Sequence, residues 1–419
     1  MNPKYQTPRG MSDILPEDWP FFEKILRVVE EIAKFYGFKR IETPILEERA
    51  LFERGVGLST DIVQKEMFNL RTKGGDYLSL RPEGTAPVVR AYFQHGFKEL
   101  PQPVKLWYFG PFFRYERPQA GRKRQFWQFG FEVLGEANPA LDAQIIQMCL
   151  SVLKELKIEN LTLRINSIGN SFCRPYYKKS LVSYLKKRFA GLCPDCKRRL
   201  KQNPLRILDC KDERCRQIVS QAPQILDYLC ESCKEHFKKV LEILEYLEIP
   251  FQLDPYLVRG LDYYTRTVFE IEAKEEVGSL IGGGRYDLLG KIIGREELPA
   301  VGAAGGVERI MEVMKSQKIS PKKEKWPKIF LAQIGDLAKK EALKLLEEFR
   351  KNKILVLESL GKDSLRAQLR LAEKYNIRYV LILGQKEVLE KKIILKDMKT
   401  GKQKLLKLKR LIKELKKIK

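Results

Sequence analysis

The sequence predicts a multidomain α/β protein, in which an antiparallel-sheet core contains a helical insertion and is followed by a smaller α/β domain. At 419 residues the chain is too long for one ordinary core. A basic, cysteine-bearing stretch that is poor in β-branched runs begins near residue 171, and a polar stretch with two prolines occupies residues 315–327. We therefore expect a core in two parts, residues 1–170 and 241–320, an insertion at 171–240, a linker at 321–327 and a C-terminal domain at 328–419.

The core begins with a predicted helix and then becomes rich in strands. Apolar residues recur at helical spacing from Trp19 to Tyr36. The strand predicted at 39–46 contains Pro44, which cannot donate to a ladder and therefore belongs at an edge or kink. Alternating β-branched and aromatic residues at 104–109 and 125–134 predict antiparallel strands. The second part of the core continues this pattern with a strand at 268–273 and a helix at 307–314.

The C-terminal domain has a different pattern. Strands predicted at 328–334, 353–358 and 379–383 alternate with helices at 336–351 and 364–375, which indicates βαβ units and a mainly parallel sheet. The last segment, residues 402–419, predicts a lysine-rich amphipathic helix. We expect it to pack on its own domain; the alternative is direct contact with nucleic acid or a membrane.

Charge and composition limit the partners and the location. The net charge of +25 favours polyanions, with nucleic acid first among them. The chain begins without a signal-peptide pattern and has no apolar run of membrane-spanning length, so we expect a cytoplasmic protein with no membrane partner. Because His95 and His236 are the only histidines, acid–base chemistry has to depend mainly on carboxylates, water or substrate.

One strand–loop–strand segment combines several arginines with an apolar strand. Arg114, Glu116 and Arg122 lie between the strands at 104–109 and 125–134, where guanidinium groups can hold phosphate oxygens. A surface hairpin with solvated arginines is the alternative. Glu132, between Phe131 and Val133, argues against that alternative because an inward-facing carboxylate requires a partner. The segment therefore predicts a nucleotide site.

Four further segments are weak when each is taken alone. Residues 80–86 place Glu83 and Thr85 beside a turn, and residues 257–269 place an arginine and two tyrosines before a strand. The glycine run at 282–287 matches neither common phosphate-binding spacing, so close backbone packing explains it equally well. Residues 302–309 are a small-residue strand that leads into a helix carrying Arg309.

Taken together, these residues resemble class II aminoacyl-tRNA synthetases, and within that class the histidyl-tRNA synthetases of bacterial type, over nearly the whole chain. The pair Leu-Val-Arg-Gly-Leu-Asp-Tyr-Tyr and Gly-Gly-Gly-Arg-Tyr-Asp is similar to the histidine-recognition signature of that family. Pro44 falls in a segment like motif 1, Arg114 at the motif 2 arginine and Arg309 at the motif 3 arginine. The C-terminal domain resembles the family's anticodon-binding domain.

The resemblance implies an activity and partners. The activity is ATP-dependent conversion of L-histidine to histidyl-adenylate with release of pyrophosphate, followed by transfer to the 3' end of tRNA(His), in protein biosynthesis. ATP with Mg²⁺, L-histidine and tRNA(His) are the implied ligands, and a homodimer is the implied assembly.

The resemblance also implies site residues. It implies that Arg259 and Arg114 are catalytic. The implied histidine-binding residues are Glu83, Gly84, Thr85, Arg114, Gln128, Glu132, Arg259, Tyr263, Tyr264 and Tyr286. The implied ATP-binding residues are Arg114, Glu116, Arg122, Phe126 and Arg309.

Two other functions compete with this one. A regulatory paralogue of ATP phosphoribosyltransferase would share the core fold without aminoacylating tRNA. A protein that only binds RNA would leave Glu132 and the tyrosines unexplained. The presence of Arg259, Arg114 and Arg309 and of the anticodon-like domain favours the ligase.

The cysteines raise a separate question. Two Cys-x-x-Cys pairs, Cys193 with Cys196 and Cys230 with Cys233, predict a structural Zn²⁺ site in the insertion, and reduced thiols are the alternative. Cys210 and Cys215 lie between the pairs and compete for the same four positions.

Overall fold

The chain forms two compact units, Met1–Lys322 and Lys323–Lys419. The computed structural model describes residues 5–117, 123–274, 278–321 and 326–417. Residues 322–325 of the expected linker therefore lie outside the described residues. Within the described residues, no helix combines the length and the apolar composition that crossing a membrane requires.

The first unit alternates short strands and helices. Its strands are β1 (Lys39–Arg40), β2 (Leu46–Glu48), β3 (Asn69–Arg71), β4 (Tyr77–Leu80), β5 (Val104–Phe113), β6 (Gln125–Leu134), β7 (Leu161–Ser167), β8 (Gln252–Leu253), β9 (Thr265–Ala273), β10 (Ile281–Arg285) and β11 (Ala300–Gly306). Its α-helices are α1 (Trp19–Phe35), α2 (Arg49–Val56), α3 (Thr85–Gln94), α4 (Ala140–Glu155), α5 (Arg174–Lys186), α6 (Pro194–Gln202), α7 (Glu213–Val219), α8 (Glu231–Tyr246), α9 (Leu289–Ile292) and α10 (Val307–Ser316).

An eight-stranded sheet forms the centre of this unit. Its strand order is β1, β5, β6, β11, β10, β9, β7, β8. The five pairs from β5 to β7 are antiparallel, and only the edge pairs β1–β5 and β7–β8 are parallel. The predicted antiparallel-sheet core is therefore confirmed. Strands β2, β4 and β3 form a separate, smaller sheet.

The two faces of the central sheet differ in chemistry because side chains alternate along each strand. On β6, Phe129, Phe131 and Val133 enter a hydrophobic core with α1, α4, α8 and α10. Gln128 and Glu132 point to the other face, and the strand register places several glycines beside them. That second face, called the site face below, has room for polar groups.

The first unit contains the segments predicted as a strand at 39–46 and as a helical insertion. The strand predicted at 39–46 is interrupted, since β1 ends at Arg40 and β2 begins at Leu46, with Pro44 between them. This break agrees with the missing N–H of proline. Between residues 171 and 250 the described elements are helices α5 to α8 and short 3₁₀ turns.

The second unit contains a mixed sheet. Its elements are β12 (Ile329–Gln333), α11 (Asp336–Lys351), β13 (Val356–Glu358), α12 (Leu365–Lys374), β14 (Tyr379–Leu383), α13 (Gln385–Leu389), β15 (Lys392–Asp397), β16 (Gln403–Lys407) and α14 (Leu411–Leu415). Strand β12 is parallel to β13 and β14, as predicted, whereas β15 and β16 extend the sheet in antiparallel pairs.

The predicted C-terminal helix at 402–419 is wrong in its first part. Residues Gln403–Lys407 form β16, and α14 covers only Leu411–Leu415. The physical reason is a turn in which Asp397 accepts the N–H groups of Lys399 and Thr400, while Gly401 adopts a φ of 74°. This turn returns the chain along β15, so the segment forms the last strand of the sheet instead of a helix.

Candidate active site

Glycines on the site face make space for the polar side chains of neighbouring elements. The register places Gly302 opposite Glu132 and Gly282 opposite Glu270. A Cβ at Gly302 would lie 1.7 Å from Glu132 Oε2, and one at Gly282 would lie 2.4 Å from an Arg259 guanidinium nitrogen. The glycine run is thus a strand that allows close packing, and these two glycines permit Glu132 and Arg259 to lie against the sheet.

Glu132 is a buried carboxylate at the centre of this face. Its Oε1 accepts a hydrogen bond from Thr85 Oγ1 at 2.9 Å, and its Oε2 accepts one from the Tyr286 hydroxyl at 2.5 Å. Burial raises the pKa of Glu132 to about 8, against the opposing effect of these hydrogen bonds. At neutral pH the protein without substrate therefore holds this carboxyl mainly in its protonated form.

Three predicted tyrosines surround Glu132. The ring centroids of Tyr263 and Tyr264 are 4.7 Å apart, and those of Tyr263 and Tyr286 are 5.8 Å apart. Burial raises the pKa of all three phenols above the ordinary value, so they stay neutral hydrogen-bond donors and acceptors. Tyr108, which the sequence analysis did not identify, is buried on the same face and interacts electrostatically with Glu132.

Glu83 and its neighbours form the start of α3. The Glu83 carboxylate accepts the N–H of Thr85 at 2.7 Å and of Ala86 at 2.9 Å, and the Tyr263 hydroxyl lies 3.4 Å from it. Burial raises the pKa of Glu83, although the backbone hydrogen bonds and the charge of Arg114 oppose the shift. Gly84 has no side chain where a Cβ would meet the Tyr108 ring at 2.5 Å.

Arg259 lies over the sheet near the tyrosines. It forms an ion pair with Glu270, and its guanidinium carbon is 6.0 Å from the Tyr264 ring centroid. Burial alone would lower the pKa of Arg259, but the charge of Glu270 outweighs it and raises that pKa. The Arg259 Nε is buried and makes no hydrogen bond within the described residues. The side chain is therefore a fixed positive charge with a donor still available.

The other end of the site face combines Arg114 with an aromatic ring. Arg114 Nε donates to the Pro82 carbonyl at 2.8 Å, and its guanidinium carbon is 5.3 Å from the Phe126 ring centroid. Glu116 lies 3.9 Å from Arg114 Nη1. On the adjacent strand, half-buried Gln128 is opposite Gly306, immediately before the helix that carries Arg309.

Arg309 donates to the Ser279 carbonyl at 2.8 Å. Most of the predicted residues that the structure describes thus lie on the site face or in the loops beside it. Arg309 lies near the start of α10, a helix that packs against the opposite face of the sheet. Arg122 lies outside the described residues.

The predicted cysteine set is wrong. The sulfur atoms of Cys193 and Cys196 group with those of Cys210 and Cys215, whereas Cys230 and Cys233 group with Cys173. The physical reason is that the two pairs begin different helices, α6 and α8, which bring different partners to them. Spacing along the chain could not reveal this division.

The sheet architecture and the polar site on its face define a class II aminoacyl-tRNA synthetase. A family model described as histidyl-tRNA synthetase matches residues 10–171 and 200–310, and one described as an anticodon binding domain matches residues 321–418. The chain belongs to the histidyl-tRNA synthetase family, whose members ligate histidine to tRNA in translation at the expense of ATP.

Individual relatives agree with this assignment. A histidine–tRNA ligase of Dehalococcoides mccartyi is 46% identical over 415 residues, which cover 99% of each chain. One of Caldanaerobacter subterraneus is 42% identical over 403 residues, covering 95% of this chain and 96% of the relative. The apo histidyl-tRNA synthetase of S. aureus superposes with a TM-score of 0.79 at 34% identity, over 98% of this chain and 100% of that structure.

The regulatory paralogue is less well supported than the ligase. A Bacillus halodurans structure described as an ATP phosphoribosyltransferase regulatory subunit or histidyl-tRNA synthetase is 22% identical, with a TM-score of 0.63 over 91% of this chain and 98% of that one. At that identity the likeness shows the fold alone. The full-length relatives at 42–46% identity are named as ligases, which favours the ligase for this chain.

Proposed function

We propose that the site face activates L-histidine, with Glu132 as the acceptor of its imidazole. The observation that carries this proposal is a buried carboxyl group enclosed by phenols and Thr85. An imidazolium donates from both of its nitrogens, and a carboxylate and a phenol oxygen can each accept one of these hydrogen bonds. Half-buried Gln128, on the same face of β6, supplies a further polar contact.

The proton balance supports imidazole as the ligand. Free imidazole has a pKa of about 6.5, and the carboxyl of Glu132 titrates at about 8. Between these values the imidazole is neutral and Glu132 is protonated, so the pair already holds the one proton that a carboxylate–imidazolium contact needs. Below this range the pair has to lose a proton on binding, and above it the pair has to gain one. Affinity therefore has a plateau between about pH 6.5 and 8.

The α-amino group of the substrate fits the start of α3. Glu83 supplies a carboxylate, and Thr85 and Gly84 follow it in the same turn. A pocket that pairs polar groups in this way rejects apolar amino acids strongly, because its own buried groups would lose their partners. We therefore expect histidine to be distinguished mainly by hydrogen bonding.

Arginine side chains bind the phosphates of ATP in this proposal. Arg114 holds the α-phosphate of ATP and the substrate carboxylate, while Arg259 lies against the α-phosphate. The charge of both arginines stabilises the pentavalent transition state. The attacking carboxylate is already ionised, so adenylate formation requires no general base. Phe126 stacks on adenine, with Arg309 over its other face and Glu116 at its edge; a contact of Arg122 with the phosphates stays a prediction.

Mg²⁺ accompanies ATP in this proposal. Glu270, which is paired with Arg259, places a carboxylate at the phosphate end, and carboxylate oxygen is the ligand chemistry that Mg²⁺ accepts. When bound, the ion supplies neutralisation of charge on the β- and γ-phosphates. The residues of the chain orient those phosphates.

tRNA(His) is the proposed partner of the C-terminal unit. The match to an anticodon binding domain and the net charge of +25 support this, since phosphate contacts provide much of the affinity for RNA. We expect tRNA affinity to fall steeply as salt rises, while activation of histidine changes little. Location in the cytoplasm stays a prediction.

A homodimer is the proposed assembly. Strand β1 ends one edge of the central sheet, and Ile45 and Leu46, which follow Pro44, are 43% and 40% exposed. These features support an interface at the segment like motif 1. Sedimentation of the wild type and of Ile45→Asp tests it: a dimer that the substitution dissociates supports the proposal, and a monomeric wild type contradicts it.

Exchange of pyrophosphate into ATP tests the proposed activation step. With each amino acid supplied in turn, we expect exchange with histidine alone and none without an amino acid. The regulatory paralogue and the RNA-binding protein would show no exchange with any of them. Exchange with another amino acid at a comparable rate would contradict the assigned pocket.

A further inference from the structure

Four cysteines of the insertion lie at one point. Cys193 precedes α6 and Cys196 lies in its first turn, while Cys215 lies in the first turn of α7 and Cys210 lies between these helices. The four sulfur atoms are all within 4.8 Å of one another. Cys196 and Cys215 are buried, and Cys193 and Cys210 are half-buried.

The spacing of these sulfur atoms suits one tetrahedral metal ion. Cys193 Sγ is 3.9 Å from Cys210 Sγ. Four thiolates at the Zn–S distance of about 2.3 Å would be separated by about 3.8 Å along each edge of the tetrahedron. A disulfide bond of about 2.05 Å is much shorter than the observed separation. A four-iron cluster would hold its thiolates farther apart than a single ion does.

Backbone N–H groups point at two of the sulfur atoms, and two arginines interact with the cluster electrostatically. The Cys196 N–H points at Cys193 Sγ, 3.4 Å away, and the Cys193 N–H points at Cys215 Sγ, 3.2 Å away. Arg199 interacts electrostatically with Cys196, and Arg214 with Cys215 and Cys193. Backbone donors and nearby cations of this kind offset the charge that four thiolates leave on a zinc ion.

We propose that Cys193, Cys196, Cys210 and Cys215 bind one structural Zn²⁺ ion. Residues 189–219 consist of two short α-helices and short 3₁₀ turns, with no strand among them. Such a segment has little backbone pairing of its own, and a metal ion supplies the missing cross-links. The group of Cys173, Cys230 and Cys233 offers three sulfur atoms rather than four.

The segment that the ion would hold also contacts the histidine-binding loop. Asn203 Nδ2 donates to Asp262 Oδ1 at 2.8 Å, and Asp262 immediately precedes Tyr263. Arg199 forms an ion pair with Asp61 at 2.7 Å, and Arg206 lies 3.7 Å from the same carboxylate. Both arginines and Asn203 lie between Cys196 and Cys210. By holding the segment between Cys196 and Cys210, zinc therefore positions the loop of Tyr263 and Tyr264 from a distance.

Metal analysis of the full-length protein, purified without chelators, tests the site. We expect Cys210→Ser and Cys215→Ser each to contain one equivalent of zinc less than the wild type. Cys149→Ala is the matched control, because Cys149 is a buried thiol outside both groups, and its zinc content should equal that of the wild type. Equal zinc in the wild type and Cys210→Ser, or iron in place of zinc, would overturn the proposal.

Hydrogen exchange on the wild-type protein covers the case in which a variant fails to fold. Chelation should reduce the protection of residues 196–210 and of the loop at 257–264 at least tenfold, and added Zn²⁺, but not Mg²⁺, should restore it. Unchanged protection after the zinc has been removed would overturn the structural role. Neither readout depends on activity, so failure of this proposal and failure of the proposed histidine pocket are distinguishable.

Discussion

Two clusters of buried charge lie on opposite faces of the central sheet, and they differ in how completely their groups are paired. The core network consists of Asp142, Arg285 and His236, on the face covered by α4 and α8. The site cluster consists of Glu83, Glu132 and Arg259 with the surrounding tyrosines. Burial is similar in both, so burial alone does not distinguish a structural charge from a functional one.

The core network is complete. Arg285 Nε and Nη2 donate to Asp142 at 3.1 and 2.5 Å, and its other donors reach the carbonyls of Glu136 and Asn138. His236 Nε2 lies 3.2 Å from Asp142 Oδ1. Burial would raise the pKa of Asp142, but the charges and hydrogen bonds of Arg285 and His236 outweigh it and lower that pKa. One of the two histidines of the chain is therefore part of a structural network.

The site cluster is incomplete. No guanidinium contacts Glu132 among the described residues, and burial raises its pKa to about 8. Arg259 is paired on one side only. The comparison teaches that a buried carboxyl group without a cationic partner, rather than buried charge as such, marks the proposed histidine pocket.

The largest expected effect is on stability and comes from breaking the core network. Arg285→Met leaves Asp142 buried without its main partner, so the free energy of unfolding should fall by about 3–5 kcal/mol. Urea denaturation measures it. Arg350→Met, which removes an exposed arginine paired with Glu347, is the control and should stay near the wild type. A small loss for Arg285→Met would mean that the network is not a structural one.

The next effect is on catalysis and comes from the site cluster. Arg259→His removes a fixed charge from the proposed α-phosphate site, so the rate of histidine-dependent pyrophosphate exchange should fall about 10²–10³-fold, or about 2.7–4 kcal/mol. The Kd for histidine should change little. Calorimetric titration and exchange kinetics separate the two quantities. Comparable losses in both would contradict the role given to Arg259.

The pH dependence of folding stability should have opposite signs for the two clusters. Because the folded-state pKa of Glu132 is raised to about 8, folding takes up a proton between about pH 4.5 and 8, and stability falls as pH rises through that range. The slope from this group is at most about 1.4 kcal/mol per pH unit. Asp142, with its lowered pKa, has the opposite sign and loses stability only in acid.

Glu132→Gln isolates this contribution. The difference between the wild-type and variant unfolding free energies should shift in favour of the variant from pH 5 to pH 8, as measured by urea denaturation at each pH. Parallel curves for the two proteins would show that Glu132 does not titrate in this range.

The smallest effect concerns a single hydroxyl group. Tyr286→Phe removes the hydrogen bond to Glu132 and should weaken histidine binding by about 1 kcal/mol. It should also move the alkaline limb of the binding profile to higher pH, because that hydrogen bond lowers the pKa of Glu132. Tyr177→Phe, whose hydroxyl contacts the Pro223 carbonyl, is the control. If the pH profile of histidine affinity does not shift, Tyr286 does not influence the pKa of Glu132.

The strands that carry the site were predictable from the sequence because their alternation is strong. Strand β6 spans Gln125–Leu134 as predicted, and the same alternation indicates which side chains share a face with Glu132. Tyr108 escaped notice because it lies within a continuous apolar run. Glu270 was not identified either, because a charged residue that alternates with apolar ones is typical of the solvent-facing side of a strand.

Features set by contacts distant in sequence were not predictable in this way. The cysteine grouping depends on how α6, α7 and α8 pack, and local spacing does not encode it. The same holds for β16. Apolar residues from Leu405 to Leu415 fit a helical period, but the turn at Gly401 pairs Gln403–Lys407 with β15. In both cases tertiary contacts decide between local patterns that the sequence leaves equal.

The most direct test of the histidine pocket is calorimetric titration of L-histidine into the wild type, Glu132→Gln and Glu47→Gln. Glu47 is a buried carboxylate paired with Arg90 on the small sheet and serves as the matched control. We predict at least a tenfold loss of affinity for Glu132→Gln, since a charged hydrogen bond contributes about 1.5–3 kcal/mol, and wild-type affinity for Glu47→Gln. Equal affinities of Glu132→Gln and the wild type would contradict the account.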